Sequence, residues 1–143
     1  MTLYLDTSHL IKLYIDEAGS AAVQALVDRS AVVVTSVLAY AEARATFARR
    51  RRERLMTAEE ARAATGQLDA DWPRFLVIPV DDAIGRSAGR LAEVHRLRGA
   101  DAVHLASFEA LLARGEEFDL CFSCADARLV RAAKSLGRGG EGR

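Results

Sequence analysis

No apolar run in this 143-residue chain is long enough to cross a bilayer. A spanning helix needs about 20 consecutive apolar positions, and the apolar runs here are short, such as Ala31 to Val34. The opening residues, Met1-Thr2-Leu3-Tyr4-Leu5-Asp6, lack the basic segment of a signal peptide and meet a charge at once. They do not read as a leader, and a cytoplasmic location is the expectation. A charge surplus is missing too: 20 basic and 20 acidic residues give a formal net charge of zero. Nucleic-acid binders usually carry a basic excess, so that role requires segregated charge, and Arg49, Arg50, Arg51, Arg52 and Arg54 supply one cluster. Cysteine is scarce. The two present, Cys121 and Cys124, form a C-x-x-C, a spacing found in redox pairs and in half of a zinc site. There is no second C-x-x-C, and the nearest histidine, His104, lies 17 residues before Cys121. Leu120-Cys121-Phe122-Ser123 reads as a buried strand whose positions three apart face opposite ways, so both cysteines are expected to be small core residues.

What is present is ordinary globular composition: half the residues are apolar and 28% are charged. The length suits one domain with its own core. That domain is expected over residues 1–137, with a glycine-rich, flexible tail at 138–143. Leu3-Tyr4-Leu5 reads as a strand that runs into a helix cap at Asp6-Thr7-Ser8. Helical pattern covers residues 8–15 and 18–29. Ala31 to Thr35 is β-branched and reads as a strand buried on both faces. Ser36 caps the next helix, and Thr57-Ala58-Glu59-Glu60 is a capping box that opens another. Phe75 to Ile78 is a third strand, and Asp81 or Asp82 caps a helix that reaches about Leu97. A helix from Ala100 to Ala113 follows, then the strand Leu120 to Ser123 and a last helix opened by Asp126. Strands that alternate with helices predict an α/β fold, a parallel sheet covered on both faces.

Ligands of such sheets bind beyond the carboxyl ends of the strands, and acids collect there. Asp6 directly follows the first strand, and Asp126 lies three residues after Ser123. Glu42 sits about two turns into the helix after the second strand, on a stripe with Leu38 and Ala45. Asp101 heads the helix face that carries His104, Leu105, Phe108 and Leu112. Inward-facing carboxylates are costly unless paired or bound to metal, and neighbours raise one another's pKa values. Asp6, Asp101 and Asp126 are each also explained alone as a cap or a first-turn residue at a helix dipole; Glu42, mid-helix on a mostly small-apolar segment, is less easily explained so. Together they predict a site for a hard divalent cation, Mg²⁺ or Mn²⁺, which activates water and neutralises charge on a phosphodiester. Thr7 and Ser8, which follow Asp6, either orient that carboxylate or a metal-bound water or simply cap the helix. Arg49 lies seven residues beyond Glu42 on the same helix face, about 10 Å along the axis. Arg49 and its neighbour Arg50 are candidates to grip a flanking phosphate, although the run reads first as a solvated helix end with basic residues matched to the C-terminal dipole. His9, His95 and His104 are expected to be structural, with His104 one turn from Asp101 and within reach of a hydrogen bond to it.

At these residues the chain resembles the PIN-domain nucleases, and among them the VapC-type toxins of toxin–antitoxin pairs. The matching stretches are Leu3 to Ser8, Thr35 to Glu42, Arg98 to Ala106 and Ser123 to Leu129, in order. The resemblance implies a three-layer α/β/α domain with a central parallel sheet of four to five strands. It also implies Mg²⁺-dependent endoribonuclease activity restrained by a cognate antitoxin, and homodimerisation. Asp6, Glu42, Asp101 and Asp126 fall where the family keeps its acidic cluster, with Asp6 and Asp101 expected to touch metal directly. Cys124 stands where many relatives have Thr or Ser. Asp119, before the fourth strand, competes with Asp126 for the fourth position. Two alternatives start from the same residues: an RNA-binding module with a silent site, and an aspartyl-nucleophile phosphotransferase. The second typically carries another Asp two residues after the first, where this chain has Ser8, and offers only Lys134 as a late lysine.

Overall fold

A computed structural model describes residues 1–114 and 119–138. Four strands form one all-parallel sheet in the order β3-β2-β1-β4, with β1 at Thr2–Leu5, β2 at Val32–Ser36, β3 at Leu76–Ile78 and β4 at Leu120–Ser123. The helices are α1 (Thr7–Leu10), α2 (Ser20–Asp28), α3 (Val37–Arg52), α4 (Ala58–Asp71), α5 (Asp82–His95), α6 (Gly99–Leu112) and α7 (Ala127–Arg138). Three-residue 3₁₀ turns follow α1 and α4. The predicted tail falls mostly at 139–143, outside the described residues.

Alternation along β1 divides the core. Leu3 and Leu5 point into one cluster with Leu10, Val23, Ala39, Phe47 and Leu68 from α1 to α4. Tyr4 points into the other, with Leu91, Leu105, Phe108 and Leu129 from α5 to α7. A strand buried on both faces reads as continuous apolar sequence, and Leu3, Tyr4 and Leu5 are all fully buried. The C-x-x-C divides the same way, Cys121 against the first cluster and Cys124 in the second. Both thiols are free.

The second strand departs from expectation. Burial rises along it from exposed Val32 to buried Val34, Thr35 and Ser36, and along β3 from exposed Leu76 to buried Ile78. The sheet is therefore best covered toward its carboxyl edge, where the strands enter their caps. Asp6, Ser36 and Asp81 each accept a backbone N–H as predicted caps, and the capping box of Thr57 and Glu60 is complete. The first predicted helix is shorter than expected: α1 lasts four residues before it tightens into the 3₁₀ turn Ile11–Leu13.

One side chain ties the carboxyl edge together. The buried hydroxyl of Thr35 donates to the carbonyl oxygen of Leu5 at 2.7 Å, which fixes β1 against β2 one residue before Asp6. Thr35→Val keeps the shape and deletes this donor. It is expected to lower the unfolding free energy by about 1–3 kcal/mol, read by urea denaturation. An unchanged midpoint would contradict the assignment.

Candidate active site

Asp6 leaves β1 as the N-cap of α1 and is only 4% exposed. Both carboxylate oxygens are engaged. Oδ1 accepts from the Ser8 hydroxyl at 2.7 Å and from the His9 backbone N–H at 3.1 Å. Oδ2 accepts from the Cys124 thiol at 2.7 Å. Burial first, then the charge of Asp6 and this bond, push the Cys124 thiol up to about 12, so at neutral pH it keeps its proton and donates. Ser8 also accepts from the Ala125 N–H at 3.0 Å, and Cys124 Sγ accepts from the Asp126 N–H at 3.3 Å. The loop after β4 is thereby tied to the loop after β1.

Glu42 projects from α3 toward α1 and α6. Its Oε1 accepts from the Thr7 hydroxyl at 2.6 Å and lies 3.0 Å from His104 Nε2. Burial works to raise its pKa, but the His104 and Thr7 bonds outweigh it, so Glu42 lies below the ordinary carboxylate range. Asp101 behaves oppositely. Burial, then the charge of Asp6, raise its pKa; Asp126 and Glu42 add to this and His104 opposes it. The ionisation of Asp101 is thus opposed by all three other predicted acids. Asp126 is exposed and caps α7, accepting from the Arg128 N–H at 2.8 Å.

Asp119 is placed elsewhere. Its carbonyl accepts from the Thr2 N–H at 2.9 Å, which puts it at the amino edge of the sheet, opposite the cap of Asp6. His104 bonds Glu42, not Asp101, because its ring points across α6 toward α1 and α3. His9 Nδ1 pairs with the Ser123 hydroxyl at 2.6 Å, and burial lowers its pKa against the pull of Asp6. Of the predicted arginines, Arg49 is exposed, whereas Arg50 Nη2 is bonded to Glu17 Oε2 at 2.9 Å. Arg44, Arg51, Arg52 and Arg62 line a cavity of about 760 Å³ between α3 and α4. Arg51 lies nine residues after Glu42, two and a half turns at about 3.6 residues each, so that cavity opens on the far side of α3 from the acids.

Among the described residues, no three His, Cys, Asp or Glu side chains group closely enough to hold an ion by themselves. Mg²⁺ does not require such a group, since it keeps several waters and binds through one or two carboxylates. Hard oxygen donors, with Asp101 ionising against the charge of the other three, fit such an ion.

An acid thus follows the first strand, one lies on the second strand's helix, one stands in the first turn of α6 and one caps α7. Residues 3–134 match the PIN domain family. The chain is 36% identical over 135 residues to Ribonuclease VapC45 of Mycobacterium tuberculosis (strain CDC 1551 / Oshkosh), covering 94% of this chain and 91% of that one. FitAcB from Neisseria gonorrhoeae superposes with a TM-score of 0.69 at 19% identity, over 92% of this chain and 93% of that one. Mycobacterium tuberculosis VapC20, described as a sarcin–ricin loop cleaving toxin, does so at 0.65 and 19%, over 91% and 94%. The chain belongs to the PIN-domain family, and within it to the VapC group.

Cys124 is the site residue that the core reading of the C-x-x-C missed. Cys124→Ala leaves Asp6 short of a buried donor and is expected to cost about 1–3 kcal/mol of stability; Cys124→Ser, which keeps a donor, costs less. Equal melting of the two variants would contradict this. Asp101 supplies a pH test. Its raised pKa means that its ionised form is penalised in the fold, a penalty absent below the unfolded pKa and complete once pH exceeds the folded one. Asp101→Asn is therefore expected to melt above the wild type in EDTA at pH 7, with the gain fading as pH falls through the carboxylate range. No gain at neutral pH would contradict the crowding of charge.

Proposed function

We propose that this chain is a divalent-metal-dependent endoribonuclease, the toxin of a toxin–antitoxin pair. What supports the reading is the placement of four acids, Asp6 after β1, Glu42 on α3, Asp101 in the first turn of α6 and Asp126 after β4, with Asp101 ionising against the charge of the other three. Such repulsion is relieved by a cation and suits a phosphodiester held through that cation. The ribonuclease name of the 36% identical relative supports the same substrate class.

Asp6 and Asp101 are the residues assigned to hold Mg²⁺ or Mn²⁺, with Glu42 and Asp126 completing the ring of acids. When bound, the ion supplies Lewis acidity for the attack of water on phosphorus and for the leaving oxygen. The protein's part is orientation. Ser8 and Cys124 hold the two oxygens of Asp6, and Thr7 holds Glu42. Exposed Arg49, on the Glu42 side of α3, takes a flanking phosphate; Arg50 joins it only if it gives up Glu17. A cognate antitoxin and a second copy of the chain are the expected protein partners, and the cytoplasm the expected compartment. Among the described residues, no helix is long and apolar enough to cross a membrane.

A cleavage assay on single-stranded RNA tests the reading. Mg²⁺ or Mn²⁺ is expected to support cleavage that EDTA abolishes, and Asp6→Asn or Asp101→Asn is expected to reduce it by about a hundredfold or more while the protein stays folded. RNA that is bound but never cut, under any divalent ion, would make the chain a silent binding module.

A further inference from the structure

We propose that His104 is a positioning residue that holds Glu42 in place, with Tyr4 fixing its ring; the inference rests on the nuclease reading above. His104 is 2% exposed, and both of its ring nitrogens are occupied. Nδ1 lies 2.9 Å from the hydroxyl of Tyr4, 100 residues away in sequence. Nε2 lies 3.0 Å from Glu42 Oε1 and 3.0 Å from the Thr7 hydroxyl.

The protons can be placed by elimination. An ionised carboxylate only accepts, and a hydroxyl has one hydrogen to give. Thr7 gives its hydrogen to Glu42 Oε1 at 2.6 Å. His104 Nε2 therefore faces two oxygens that offer it only lone pairs, and only an N–H at Nε2 is attractive there. In the neutral ring Nδ1 is then the acceptor, and Tyr4 is its donor. Tyr4 is fully buried, and burial raises its pKa, so its phenol keeps the hydrogen that this bond requires. The chain of donation runs from Tyr4 on β1 through His104 on α6 to Glu42 on α3.

Two donors from two elements thus converge on one oxygen of Glu42, and its other oxygen, Oε2, is claimed by neither. A glutamate side chain is long and loses rotamer freedom when it is fixed. A carboxylate held by outer hydrogen bonds meets an ion without that further loss. The same helix that presents Asp101 holds Glu42 one turn later, so α6 sets the spacing of two acids on different segments. The ring is not free to activate water, because both of its nitrogens are spent, one on Glu42 and one on Tyr4.

Three variants test this. His104→Leu removes the donor, His104→Gln places an amide N–H near the position of Nε2, and Tyr4→Phe keeps the ring stacked on Phe122 while it deletes the hydroxyl. Mn²⁺ affinity is read from the signal of free Mn²⁺ by electron paramagnetic resonance, and the ring tautomer by nitrogen NMR of the wild type. The expected results are the Nε2–H tautomer, Mn²⁺ affinity about 10–100-fold weaker in His104→Leu, recovery of most of it in His104→Gln, and a smaller loss in Tyr4→Phe. A wild type that binds Mn²⁺ and a folded His104→Leu that binds it equally well would overturn this inference alone, as would an Nδ1–H tautomer. If His104→Leu does not fold, Tyr4→Phe with unchanged affinity overturns it. A wild type that binds no Mn²⁺ overturns the metal reading, and this inference with it.

Discussion

Like charge gathered at one edge of a parallel sheet is the constraint on which the rest of this molecule depends. Asp6 is nearly sealed from solvent, and Asp101 ionises against the charge of Asp6, Asp126 and Glu42. A fold gains nothing in stability from such a cluster. It is tolerated because neighbouring donors are spent on it: Ser8, Cys124 and the His9 N–H on Asp6, and Thr7 and His104 on Glu42. Asp101 is the member whose charge burial and the other acids still oppose.

The topology makes this arrangement possible. With β1 between β2 and β4, the residues after these strands emerge side by side. Burial increases toward that edge along β2 and β3, so the caps sit on the best-packed part of the sheet. Short links then join the segments: Thr35 to the Leu5 carbonyl, Ser8 to the Ala125 N–H, and Cys124 between Asp6 and Asp126. Rigidity at this edge comes from polar bonds between segments far apart in sequence, while the two apolar clusters hold the layers together.

Much of this was legible in the chain itself because its signals are local. Leu3-Tyr4-Leu5 alternates between two cores, Ser36 and Asp81 cap helices, and Asp6 and Asp126 each follow a strand, all readable within a few residues. The side chains that hold the acids were harder to see. Cys124 read as core filler because nothing in its own segment points to Asp6, 118 residues away. Helix spacing puts His104 within reach of Asp101, its neighbour by one turn, whereas its ring reaches Glu42, 62 residues away. Arg50 read as a free cation because its partner Glu17 lies on a different segment. The exposed start of β2 was also missed, since a β-branched run does not reveal where its covering helices stop. In each case the missing information is a contact across the fold, which periodicity and capping rules do not carry.

The most direct measurement of the central claim is diffraction from crystals soaked in Mn²⁺, recorded near the manganese absorption edge. A single anomalous peak within coordination distance of both Asp6 and Asp101, or a pair sharing them, is the predicted result. No peak at that edge of the sheet, or a peak confined to other residues, would contradict the claim that these acids are gathered for a cation.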